Sequence, residues 1–213
     1  LRVTLIGDIH QKRAMFNAEY MPPNSIQLGD LGFDYSQWDR NNRRLRNPKP
    51  GRRHFIGGNH DAYNILIPEA DYLQEINPEL CHIPRGYVSG KVMFIGGADS
   101  IDAHHRIPGY DWFPEERLSM MEVDCILQYE GRVDVIIAHD LPAFAYPGVG
   151  IHNIVGSHCR DLEEIFYKFR PSRWYAGHHH KSVQFSVEGC HFKVLDIGER
   201  LTVDLPLDEG FFS

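Results

Sequence analysis

"VTLIGDIH", residues 3–10, decides how the rest of the chain is read. An aliphatic run stops at Gly7, and Asp8 and His10 follow two apart. A run of four to six apolar residues bounded by turn residues reads as a buried strand of a sheet covered on both faces. The same unit returns as "SIQLGD" (25–30), "HFIGGNHD" (54–61), "VMFIGGADS" (92–100), "VDVIIAHD" (133–140) and "RWYAGHHH" (173–180). Each strand is expected to end at a glycine or alanine followed by polar side chains.

Helical patterns lie between several of these runs. Leu162, Ile165, Phe166 and Phe169 follow i, i+3, i+4, i+7, and Pro171 ends that helix. Met120, Val123, Ile126 and Leu127 form a similar stripe before Gly131. Residues 11–20 and 35–46 carry weaker helical patterns. "SVQFSVEGCHFKVLDIGERLTVDLPL" (182–207) alternates and turns at Glu188-Gly189 and Gly198-Glu199, which predicts antiparallel strands without helices. Residues 84–97 read as another hairpin. The expectation is α/β: one domain over residues 1–213 with no separate cap, built as a four-layer α-β-β-α sandwich of two mixed sheets flanked by helices. The longest irregular segments, 98–114 and 140–156, are expected to be functional, as long loops in compact domains usually are.

Bulk properties narrow the class. The 213 residues are 42% hydrophobic and 24% charged, which suits a cored globular domain rather than disorder or a coiled coil. No run approaches the ~18 apolar residues of a membrane helix, and the first ten residues read as a strand rather than a signal peptide. Cys81, Cys125, Cys159 and Cys190 are scattered without a C-x-x-C, which argues against a thiolate zinc site and fits a reducing cytoplasm. The net charge of −7 disfavours tight sequence-independent binding to nucleic acid. The basic run "DRNNRRLRNPKPGRR" (39–53) reads as a solvated helical face.

In open α/β sheets, ligands collect at the carboxyl ends of the strands. Here those ends carry Asp8 and His10, Asp30, Asn59 with His60 and Asp61, His139, and His178 to His180. A lone Gly-Asp is more often a turn or a helix cap, and Gly-Asn-His more often a tight turn. Five such ends in order, all offering nitrogen and oxygen ligands suited to Mn, Fe or Zn, are another matter.

The series Asp8-x-His10, Gly29-Asp30, Gly58-Asn59-His60-Asp61, His139 and Gly177-His178-x-His180 resembles the calcineurin-like metallophosphoesterase superfamily. The resemblance implies two divalent metals, with manganese the first expectation and iron or zinc alternatives. Asp8, His10 and His180 would hold the first, Asn59, His139 and His178 the second, and Asp30 would bridge them. A hydroxide shared by the ions would attack a phosphate ester in line, with His60 as general acid and Asp61 orienting its ring. His178 and His180, two apart on an extended backbone, should face the metals together, while His179 points away and tolerates replacement by Ala.

The second motif continues "GDLGFDYS" without the arginine that phosphoprotein phosphatases carry there, which weakens a protein-phosphatase reading. Arg13 and, preferentially, Arg106 are candidates to bind the substrate phosphate, together with Asn59. Arg106 lies in "GGADSIDAHHRIPGYDWFPEE" (96–116), a stretch similar to one in small bacterial and phage metallophosphoesterases. Its Tyr110, Trp112 and Phe113 would cover a leaving group, whereas His104 and His105 read as solvent-facing. Phe144, Tyr146 and His152 are candidates to line the pocket or to pack their own loop. The expected activity is hydrolysis of small phosphate mono- or diesters. The alternatives are a nuclease or phosphodiesterase acting on nucleic acid, and a non-catalytic metal-site scaffold that binds a partner protein.

Overall fold

The computed structural model describes residues 1–10, 20–32, 51–68, 70–153 and 156–212. Twelve strands form two six-stranded sheets. The first contains β1 (Arg2–Ile6), β2 (Ser25–Gln27), β3 (Arg53–Ile56), β4 (Gln74–Asn77), β5 (Leu80–Ile83) and β12 (Arg200–Asp204), in the order β12-β1-β2-β3-β5-β4. The second contains β6 (Val88–Ser89), β7 (Val92–Ile95), β8 (Val135–Ala138), β9 (Arg173–Ala176), β10 (Val183–Val187) and β11 (Cys190–Val194), in the order β10-β11-β9-β8-β7-β6. Each sheet has a parallel centre and one antiparallel strand at either edge. All six apolar runs that end in a glycine or alanine plus polar residues are strands, and all lie in these parallel centres.

Alternation along each strand assigns its faces. Val92 and Phe94 of β7 and Val135 and Ile137 of β8 meet Val3, Leu5, Ile26 and Leu28 between the sheets. Their neighbours Met93, Ile95, Ile136 and Ala138 point outward, under α1 (Met120–Leu127) and α2 (His158–Phe169). Both helices carry the stripes read from the sequence. The outer face of the first sheet buries Ile6, Phe55 and Leu80 against Ile9, Met21, Leu31 and Tyr63. The helical patterns at 11–20 and 35–46, Arg13 and most of the basic run 39–53 fall outside the described residues.

Two expectations are refined. The 84–97 hairpin is β6–β7, and Glu188-Gly189 turns β10 into β11. Gly198-Glu199, however, does not close a hairpin: the chain leaves β11, crosses to the other sheet, and pairs β12 antiparallel with β1 from Arg2↔Asp204 to Ile6↔Arg200. Among the described residues no helix is long and apolar enough to cross a membrane.

Hydrogen bonds join the two sheets where the parallel strands end. Gly97 N–H donates to Gly57 O at 2.8 Å, joining the ends of β7 and β3. The ring Nδ1–H of His139, after β8, donates to Leu28 O after β2 at 2.7 Å. His178 N–H, after β9, donates to Asp8 Oδ1 after β1 at 3.0 Å. Each bond joins one sheet to the other, so the polar strand ends become a single place.

Candidate metal centre

At that place two groups of ligand atoms converge. Asp8, His10, Asp30 and His180 form one, and Asp30, His139 and His178 form the other. Asp30 belongs to both. Asn59 Oδ1 joins the second group, 3.3 Å from His139 Nε2. Every residue expected to hold metal is therefore brought together, in the grouping the sequence implied.

The local backbone is unusual. His10, Asp30, His178 and His180 have φ of 46°, 55°, 63° and 49°. Left-handed conformation at residues other than glycine costs of order 1–3 kcal/mol each and persists only where the surroundings over-determine it. His178 and His180 thus face the centre from a left-handed turn, not from the extended backbone expected. Glycines make room beside them. A Cβ on Gly58 would collide with Asp30 Oδ1, and one on Gly177 with Asp8 Oδ1.

The electrostatics call for a cation. Asp8 is 0% and Asp30 1% exposed, and Oδ2 of each is buried without a well-directed hydrogen bond among the described residues. Such atoms are rare unless paired. Imidazole nitrogens stand near: His180 Nε2 lies 3.1 Å and His10 Nε2 3.5 Å from Asp8 Oδ2, and His10 Nε2 lies 3.7 Å from Asp30 Oδ2. His10 Nε2 and His180 Nε2 are themselves 2.7 Å apart, so a proton or another cation must sit between them.

Burial alone would raise the pKa of both carboxyls. The His10 and His180 rings hold Asp8 below its ordinary value instead, and His139 holds Asp30 below the usual carboxylate range. Burial likewise opposes charge on His139, but Asp30 prevails and holds its pKa up at about 10. His178 is pushed down to about 4 by burial, which leaves it a neutral ligand. With Nδ1–H of His139 given to Leu28 O, its Nε2 faces Asp30 and Asn59, the arrangement of a metal-ligating histidine. The donor set fits divalent metal.

The residues around His60 depart from expectation. His60 is exposed, and its Nε2 lies 2.9 Å from Arg106 Nη2. Asp61, expected to orient that ring, accepts backbone N–H groups of Gly58 at Oδ2 (2.8 Å) and Gly32 at Oδ1 (2.9 Å). A carboxylate two residues past Asn59 is placed to brace the turn beneath it. Arg106 does point into the site, but most of its charge is spent on protein. It donates to Asn59 O at 3.0 Å and pairs with Asp102 at 2.7 Å and with Glu116 at 3.7 Å.

Ser100 and Glu116 were not expected here. Asn59 Nδ2 donates to Ser100 Oγ at 3.0 Å, and Ser100 Oγ donates to Glu116, whose pKa burial raises to about 7. This relay fixes the Asn59 amide with its oxygen toward His139. No spacing in the sequence signals it, because Glu116 reaches Ser100 only through the folded 98–114 loop.

Of the aromatics in that loop, Phe113 belongs to the core under the first sheet, Trp112 is half-buried and Tyr110 is exposed. His104 and His105 are exposed, with ring centroids 3.9 Å apart. Phe144 packs on Phe166 and Phe192, and Tyr146 bonds to Asp140, so both pack their own segment rather than line the centre. His152 is exposed.

Comparison with known proteins gives the same answer. The description "Calcineurin-like phosphoesterase" matches residues 1–182, from β1 to the turn after His180. The chain belongs to the calcineurin-like phosphoesterase family. This family uses divalent metals to hydrolyse phosphoesters. The lariat debranching enzymes of Drosophila pseudoobscura pseudoobscura and Drosophila melanogaster are each 26% identical to this calcineurin-like chain over 152 residues, covering 59% of it. The match spans 28% of either relative's own length.

Proposed function

We propose that the chain is a two-metal phosphoester hydrolase acting on phosphodiesters and small phosphomonoesters, with Asp30 shared between the ions. The observation that carries the reading is Asp30 itself: a buried carboxylate common to both ligand groups, with one oxygen lacking a hydrogen-bond donor among the described residues. Asp8, His10 and His180 would hold one ion and Asn59, His139 and His178 the other, with manganese the first choice. Two bound ions supply a water activated near neutral pH and offset the charge on the attacking and leaving oxygens. The relatives' name, which speaks of debranching lariats, favours the diester form of the reaction.

His60 is assigned the proton for the leaving oxygen. A guanidinium only donates, so the Arg106 contact makes His60 Nε2 an acceptor and leaves the ring proton on Nδ1. Crowding by neighbouring groups strips water from the ring although the residue as a whole is exposed, which lowers the His60 pKa; Asp30 opposes, and Arg106 lowers it further. An incoming phosphate adds negative charge that favours the protonated ring. Arg106 steadies Asn59 and His60 and presents positive charge on the side where the phosphate binds. The four cysteines are free, and three are buried, which fits the cytoplasmic reading.

Two measurements test this. Metal analysis of protein prepared without chelator is expected to give about two transition-metal ions per chain; one or none removes the shared-carboxylate reading. His60→Asn is expected to retain metal and slow an alkyl phosphoester ~10²–10⁴-fold. The effect should be far smaller on bis-p-nitrophenyl phosphate, whose leaving group scarcely needs a proton. Equal losses on both would sink the acid role.

A further inference from the structure

The middle histidine of the triplet has no ligand role in this reading, yet its side chain is only 4% exposed. Its Nε2 stands 3.0 Å from Oδ1 of Asp140, which is 1% exposed, an ion-pair separation without a well-directed hydrogen bond among the described residues. The His179 ring also meets Tyr146 edge-on, with centroids 5.1 Å apart. Asp140 is itself immobilised. Tyr146 O–H donates to Oδ2 at 2.8 Å, Leu141 N–H donates to Oδ1 at 2.7 Å, and Trp174 Nε1–H donates to the main-chain oxygen at 3.1 Å.

On either side of His179, His178 and His180 keep left-handed backbones. One bond from His178 N–H to Asp8 and one from His179 N–H to Gly177 O at 2.7 Å constrain that turn from the main chain. Two strained ligands in three residues need more than this to stay put. Gly177 N–H also donates to His139 O at 3.0 Å, and the His179 side chain adds a further tie through the residue that directly follows His139.

We infer that the buried Asp140–His179 contact, backed by Tyr146, is a positioning device that ties the turn carrying His178 and His180 to the strand end carrying His139. It acts through the ligands and touches neither metal nor substrate. It replaces the sequence expectation that His179 tolerates Ala, and it rests on the two-metal reading above.

The test is Mn²⁺ titration, by calorimetry and electron paramagnetic resonance, of the full chain stripped of metal. Wild type, H179L, H179Q and D140N are compared. H179L and D140N are expected to bind Mn²⁺ ~10–100-fold more weakly, the usual effect of losing a partner behind a ligand, and to lose the spectrum of a coupled manganese pair. H179Q, which keeps a donor for Asp140, should recover most of the affinity and the coupled spectrum; a general packing defect would not be rescued this way. H179L indistinguishable from wild type in both readouts overturns the inference and leaves the two-metal reading standing. Wild type taking up no Mn²⁺ overturns both. Should H179L fail to fold, D140N decides by the same two readouts.

Discussion

Gly58 and Gly177 are residues at which a single methyl group would strike the carboxylates of the centre. Each lies against a carboxylate, so an added Cβ must displace Asp30 or Asp8 from the place where the ligand atoms meet. Misplacement of about 1 Å in such a centre can lower turnover ~10²-fold. Gly58→Ala and Gly177→Ala are therefore each expected to lose activity by about that factor and to bind less metal, with an unchanged circular dichroism spectrum. Normal metal content in both would show that the carboxylates have room to spare. The identities of the candidate ligands were legible in sequence because few residue types can bind metal and the strand ends announce where they stand. Their backbone was not: left-handed φ at His178 and His180 depends on the Asp8 and Asp140 contacts, which come from elsewhere in the chain. For the same reason nothing in the sequence announces that Asp61 accepts the main-chain N–H groups of Gly58 and Gly32.

Among the elements, α1 depends on one acidic residue used twice. Ser119 Oγ accepts from Glu122 N–H at 3.2 Å, and Glu122 accepts from Ser119 N–H at 2.6 Å, a reciprocal cap on the helix start. The same Glu122 pairs with Arg85 at 3.0 Å, both side chains nearly buried. Ser119→Ala should cost about 1 kcal/mol, the usual value of a cap. Glu122→Ala removes the cap partner and strands a buried guanidinium, a loss of roughly 3–5 kcal/mol in such pairs. The low end is expected, because the carbonyls of Glu115, Glu116 and Arg117 also accept from Arg85. Urea unfolding of the two variants checks the ratio, and equal midpoints would deny Glu122 its second role. Elements whose identity rests on local patterning, the six strands that run into polar residues and both helices, were readable from the chain. The destination of β12 was not, since pairing with β1 across some 200 positions leaves no local trace.

For the whole molecule, three interior histidines set an acid limit. Burial holds the pKa of His54, His82 and His158 down at about 3, against 6.5 in the unfolded chain. Between those values the unfolded chain binds more protons than the folded one. The stability these residues confer is complete above pH 6.5 and is lost as pH falls. At pH 5 the loss is roughly 2 kcal/mol for each, so about 6 kcal/mol together, much of an ordinary domain's stability. Glu116, Asp161 and His139, whose pKa values the fold raises to about 7, 6 and 10, bind protons more tightly when folded and offset part of this loss. Urea midpoints measured with chelator present should therefore fall from pH 7 to pH 5 by less than the three rings alone would give. A flat profile would mean that these rings take up protons without unfolding. The crossing of β12 bears on how the protein is made. β1, which leads into Asp8 and His10, receives its outer neighbour only when residues 200–204 arrive. At ~5–20 residues per second that wait on the ribosome is roughly 10–40 s. Throughout it β1 has an open edge, a surface on which nascent chains stick together, and the candidate metal ligands lack part of their frame. Translation therefore acts as a timer: the frame of the site is complete only once β12 has emerged, and until then the polypeptide is a client for chaperones before it is a catalyst.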